Sequence, residues 1–303
     1  NLEPRLILGW TDSPVERLLG LDPLREGALT LVPLGRSHQA PPSRPEIPEL
    51  RLETEPLSSS EVDYPAIRAA HSASSLVNFS EVAAWANRVP APRGASSHGL
   101  LTALRPRRNN QLPRESLDRV IVRRGSTRIF DAEKSISFEA LSPALDRATR
   151  GVAADFLEPP GATVIDLYLI INAVDGLTPG AYYYRRAEQS LELLREGNFR
   201  ATAGRLGLGQ DLPAAAAVNI YSLIDLRSVL ERLGNRGYRA AQIEGGIVGG
   251  RLYLAAYAQR FGATGLTFFD DAVVDFFSPH AAGKSVMFLV ALGHPDRVAL
   301  GLA

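Results

Sequence analysis

The chain has 303 residues, 45% of them hydrophobic and 22% charged, the proportions of a globular protein long enough to bury a sizeable core. Thirty-three basic residues balance 33 acidic ones, which argues against the cationic excess that nucleic-acid or polybasic membrane binding needs. With no cysteine there can be no disulfide, thiolate metal site, iron–sulfur cluster or cysteine nucleophile.

The length suggests about two domains. No apolar run approaches the roughly 18 residues of a spanning helix, so no membrane association is expected. The opening Asn1-Leu2-Glu3-Pro4-Arg5 is no signal peptide, and the expected location is cytoplasmic. The one methionine is Met287, so residue 1 is not an initiator and the chain is expected to be a piece of something longer.

In chain order, Asp12 or Ser13 caps a short helix with Pro14 at its first position. Ala28 to Gly35 reads as a buried strand. Some thirty residues cannot build their own core, so this opening must pack on the rest of the chain or on an absent domain. Residues 37–60 form a proline-rich linker through Pro41, Pro42, Pro45, Pro48 and Pro56. Helices are expected over 61–76, with Ser60 as cap, and over 80–88; residues 89–115 read as an irregular crossover. A helix is then expected over 135–147, a buried strand over 163–173, and a hairpin from 181–185 and 191–195. A strand over 215–224, a long helix over 238–261, a short strand over 264–269, a helix over 271–277 and a last strand over 285–292 complete the pattern. Interleaved strands and helices give an α/β or α+β class with a mixed sheet.

Four segments could carry chemistry. Arg123-Arg124-Gly125-Ser126-Thr127-Arg128-Ile129-Phe130 gathers three guanidiniums, two hydroxyls and a glycine just before a helical pattern. It is either a phosphate cradle or an arginine-rich solvated turn. Gly283-Lys284-Ser285 ends like a P-loop, but Ser278 stands where that loop needs glycine and a strand follows. Lys284 is therefore either a point charge for a phosphate or a surface turn lysine. Gly245, Gly246, Gly249 and Gly250 put small residues on one side of the long helix, which suits close packing, or a subunit interface, at a cost of up to about 1 kcal/mol per glycine. Gly262 to Asp271 leaves backbone N–H groups uncovered, and Asp270-Asp271 is either a metal pair or a helix cap. The five histidines, His38, His71, His98, His280 and His294, are scattered in sequence and are expected on surfaces or linkers. His280, close to Lys284, is the exception worth following. No metal site is expected.

In order, Arg124 to Phe130, the Pro159-Pro160-Gly161-Ala162 segment, Gly176-Leu177-Thr178-Pro179-Gly180-Ala181-Tyr182, the helix from Glu244 and the loop from Gly262 to Asp271 resemble the flavin-dependent nitroreductase superfamily. The SagB-type or McbC-like dehydrogenases are the branch they resemble. The resemblance covers residues 117–293. It implies an α+β nitroreductase-like fold, with a mixed, mainly antiparallel central sheet flanked by helices. It also implies FMN, with NAD(P)H as a possible donor. Arg124, Gly125, Ser126 and Arg128 would hold the phosphate and ribityl oxygens, with Gly161 nearby. Gly265, Leu266 and Thr267 would approach the ring, and Lys284 and Ser285 would close on the phosphate. No catalytic acid or base is assigned. The substrate would be a small molecule or modified peptide, and the partner a second copy or an upstream domain completing a pseudo-dimer. By the same resemblance, residues 1–36 look like the tail of an upstream nitroreductase-like domain and 61–116 like a helical extension and crossover, with 117–303 the FMN domain. The branch's Lys-Tyr pair before the central helix is absent from Arg232 to Tyr238, and Gly246-Ile247 and Gly250-Arg251 stand where its Gly-His and Gln-Asn occur. The expected function is an FMN-dependent oxidoreductase. The alternative is a non-catalytic domain that completes a second flavin domain.

Overall fold

The computed structural model describes residues 4–35, 48, 50, 52, 53, 55, 58–86, 99–105, 111–157, 162–296, 298 and 299. Gly161, Pro159, Pro160, His38, His98, Pro41, Pro42, Pro45 and Pro56 lie outside them. The elements begin with α1 (Asp12–Leu19), α2 (Pro65–Ala73), α3 (Phe79–Ala86), β1 (Leu100–Ala103), α4 (Leu117–Arg123), β2 (Ile136–Ser137) and α5 (Phe138–Ala148). They continue with β3 (Asp166–Ile171), β4 (Val174–Asp175), β5 (Gly180–Arg185), β6 (Ser190–Glu196), α6 (Arg200–Leu206) and α7 (Asp211–Ala215). The last are β7 (Val218–Ile224), α8 (Leu226–Leu233), α9 (Arg236–Ala258), β8 (Gly262–Leu266), α10 (Asp270–Phe277) and β9 (Ser285–Gly293). The chain divides into two compact units, one drawn from 1–92, 151–163 and 226–240, the other from 93–150, 164–225 and 241–303.

The first unit shows where the opening residues find a core. Leu6 donates to the Ala153 carbonyl at 2.8 Å and accepts from Asp155 at 3.0 Å. The Asp155 carboxylate takes the backbone N–H groups of Leu8 and Gly9. α1 stops at Gly20, whose φ of 67° lets its N–H turn back to the Arg17 carbonyl. Its N-cap is Thr11, not Asp12 or Ser13. Asp12 instead is buried, accepting from Arg236 at 2.6 Å, Arg239 at 2.8 Å and the Leu76 backbone at 2.8 Å. Arg239 also reaches Nδ1 of His71 at 3.1 Å, while Nε2 of His71 lies 3.4 Å from Glu16. The expected buried strand over 28–35 is corrected. Leu31 makes an isolated bridge to Ile7, and Leu29, Val32 and Leu34 are exposed, so this apolar run pairs at one point only.

The second unit is built on a seven-stranded sheet of order β1-β6-β5-β3-β7-β9-β8. Every pairing in it is antiparallel; a separate two-residue pair, β2 with β4, is parallel. β7 is buried at all seven positions, and β3 at every position but its first. That is why β3 reads as a continuous apolar run after Asp166, while β7 carries two polar residues, Asn219 and Ser222, into the interior. One core cluster joins Tyr168, Tyr221, Leu223, Phe277, Val286 and Leu289. α5 begins at Phe138, three residues later than expected, because Ile136 and Ser137 pair with β4 and the Ser137 hydroxyl accepts from Ala140 at 3.2 Å. α9 packs its Gly249 against β9, where an added Cβ would lie 2.4 Å from the Phe288 ring. Gly246 and Gly250 face open space, so only one of the two glycine pairs serves close packing among the described residues.

Candidate functional site

The arginine–serine segment does not sit where an anion-binding helix start was expected. It leaves the C-terminal end of the short helix α4, with Arg124 already extended at ψ 141°, and the next helix begins only at Phe138. A helix C-terminus carries partial negative charge, so any anion here depends on side chains. Three contacts anchor the segment. Thr127 donates its backbone N–H to Ala263 at 2.9 Å on the open edge of β8. Its hydroxyl lies 3.3 Å from that of Tyr257. Phe130, 3% exposed, bridges to Pro295. Arg124, Gly125, Ser126 and Arg128 are exposed, while Thr127 and Phe130 are buried.

The three arginines have different fates. Arg123 is spent on structure, donating to Glu115 and, at 2.6 Å, to the Tyr257 carbonyl. Its hydrogen bond holds the Glu115 carboxyl below the ordinary range. Arg124 and Arg128 have no acidic partner among the described residues, and Arg124 stacks 5.8 Å from the centre of the Tyr253 ring. Ser126 Oγ lies 3.3 Å from the Tyr253 hydroxyl. Tyr253 also accepts the backbone N–H of Gly265. Tyr253 thus ties the segment to β8, Tyr257, one turn further along α9, ties it to that helix, and sequence reading passed over both. Their i, i+4 spacing just after Gly249 was the available signal.

Small residues in β8 make room for this. An added Cβ at Gly262 would lie 2.1 Å from Thr127 Oγ1, and one at Gly265 would lie 3.2 Å from the Phe288 ring. Leu266 closes β8 half-buried, and Thr267 beyond it is exposed. Asp270 and Asp271 lie exposed in the first turn of α10, whose N-cap is Phe269, so neither caps it.

Lys284 and Ser285 are not brought to this cluster. Ser285 pairs with Ile224 at one end of β9, whereas Ala263 faces Leu292 near the other. The separation along the strand is roughly 20 Å at about 3.3 Å per residue. The Lys284 amine pairs instead with Asp166 Oδ2 at 2.6 Å, and Tyr183 donates to Asp166 Oδ1 at 2.9 Å. Next to them the Tyr168 hydroxyl lies 2.9 Å from Nδ1 of His280 and donates to its carbonyl at 3.2 Å. Burial pushes the His280 imidazole down and the phenols of Tyr168 and Tyr183 up. His71, His280 and His294 are each partly buried.

Residues 121–294 match the model of the nitroreductase family. A solved structure from Anabaena variabilis, titled as a nitroreductase, superposes with a TM-score of 0.74 at 25% identity. The match covers 98% of this chain but 61% of that one, so the chain spans less than two thirds of that relative's length. A second, from Ralstonia eutropha, gives 0.51 at 20% identity over 69% of this chain and 98% of that one. A third, from Exiguobacterium sibiricum and titled as a complex with FMN, gives 0.43 at 14% identity over 60% and 89%. No curated protein matches significantly. No helix among the described residues is long and apolar enough to cross a membrane.

Proposed function

The chain belongs to the nitroreductase family, and from that membership we propose that it is an FMN-dependent oxidoreductase whose phosphate anchor is Arg124, Ser126 and Arg128. The observation that carries the reading is the outward pair of guanidiniums flanking a serine hydroxyl, free of acidic partners among the described residues and fastened to the β8 edge through Thr127. Charge-assisted donors of this kind suit a phosphate. The donor set suits a phosphate, and the lack of a Cβ at Gly262 and Gly265 lets Thr127, Phe288 and Tyr253 pack close to β8.

In this reading Arg124 and Arg128 bind the phosphate, Ser126 orients it, and the β8 edge from Gly265 to Thr267 faces the ring. Bound FMN supplies two-electron hydride chemistry, with the protein placing its ring and tuning its surroundings. Among the described residues Arg124, Gly125, Ser126 and Arg128 are all exposed, as befits a site that a second subunit or domain covers. The finer assignment, a SagB-type dehydrogenase acting on a small molecule or modified peptide with NAD(P)H as a possible donor, rests on the ordered motifs alone.

The test is the visible spectrum of the purified protein, with heat release and chromatography of the pigment. Stoichiometric FMN supports the proposal. A colourless protein that takes up no added FMN, alone or mixed with an upstream domain, sinks it and favours a non-catalytic companion domain.

A further inference from the structure

We infer that the Tyr253 hydroxyl holds the Gly265 N–H in place of a flavin ring atom, an inference that rests on the flavin reading above. β8 is an edge strand, so its outward N–H groups need acceptors from outside the sheet. Thr127 meets the Ala263 carbonyl, and the Tyr253 hydroxyl meets the Gly265 N–H. The same hydroxyl lies 3.3 Å from Ser126 Oγ, and the same ring lies beneath Arg124 at 5.8 Å. One side chain therefore engages three groups that the flavin reading gives to a single ligand.

A backbone N–H aimed at one acceptor is not available at full strength to another. An acceptor atom of the ring facing Gly265 must displace the Tyr253 hydroxyl. The side chain has room to leave, because Tyr253 is only partly buried. Tyr257, one turn further along α9, is placed differently. Its hydroxyl meets the buried Thr127 and its carbonyl is held by Arg123, so it anchors the segment and competes with nothing.

The experiment is a titration of FMN into the wild type, Tyr253→Phe and Tyr257→Phe, followed by flavin fluorescence quenching, with a thermal melt of each protein. Tyr253→Phe keeps the ring under Arg124 and removes the competing hydroxyl. It is expected to bind FMN about 2- to 10-fold more tightly, the worth of one hydrogen bond, while Tyr257→Phe shows no gain. In the wild type the Gly265 amide resonance should move when FMN is added, a readout that needs no variant. Unchanged or weaker binding by Tyr253→Phe, an equal gain in Tyr257→Phe, or a fixed Gly265 resonance overturns the inference and leaves the flavin reading standing. Failure of all three proteins to bind FMN, both alone and mixed with an upstream domain, overturns the flavin reading and the inference with it.

Discussion

Thr127 donates its backbone N–H to the carbonyl of Ala263 at 2.9 Å, and together with the Thr127–Tyr257 and Phe130–Pro295 contacts this bond holds the arginine–serine segment beside β8. Without these contacts, Arg124 and Arg128 would be ordinary surface charges on a turn. With them, both are held beside a strand whose Ala263 carbonyl is met by Thr127 and whose Gly265 N–H is met by Tyr253.

Replacing Arg124 and Arg128 together with alanine should strip FMN from the protein. Hydrogen bonds to charged groups contribute about 1.5–3 kcal/mol each, so the dissociation constant should rise at least 100-fold. The melting temperature should hardly move, because both side chains are exposed. Equilibrium dialysis with FMN and a thermal melt separate the two effects.

Lys284→Ala should leave FMN affinity within about twofold of wild type. Its amine is engaged with Asp166 at 2.6 Å at the far end of β9. The loss should appear in stability, at no more than about 1 kcal/mol for a partly exposed pair. A tenfold loss of FMN binding would restore Lys284 to the phosphate site.

Two glycines on α9 should respond in opposite directions. Gly249→Ala puts a Cβ 2.4 Å from the Phe288 ring and should destabilise the protein by about 1–3 kcal/mol through overpacking. Gly246→Ala meets nothing within 4 Å and should stabilise it by up to about 1 kcal/mol through helix propensity. Urea denaturation midpoints measure both.

Asp12→Ala should be the most damaging of these substitutions. It leaves Arg236 and Arg239, 1% and 7% exposed, without their shared counter-charge. Breaking a buried pair from one side costs about 3–5 kcal/mol, and chemical denaturation should show a loss of that size.

Stability should fall as pH drops below about 6.5, the unfolded histidine value. Burial lowers the folded pKa of both His280 and His294. Between the folded and unfolded values the unfolded chain binds more protons, so acidification favours unfolding there. Above that window their contribution is fully present. His280→Gln should flatten this dependence, read from melting temperatures across pH 5 to 8. An unchanged slope would remove His280 as a source.

The sequence alone determined the local features. Runs such as Leu167 to Ile171 announced a buried strand because both faces of the sheet are covered. The Arg123–Phe130 composition announced a cluster of cations and hydroxyls, since residue type is a local property. The run from Ala28 to Gly35 misled for the same reason: apolar content shows what a segment can bury, not whether a partner is there to bury it. Tertiary structure decided the pairings. Tyr253 accepts from Gly265, Lys284 turns to Asp166 and not to the arginines, and Asp12 gathers two arginines more than 220 positions away. Each of these hydrogen bonds depends on which surfaces the packing of the sheet and helices presses together, and no periodicity in the chain records that.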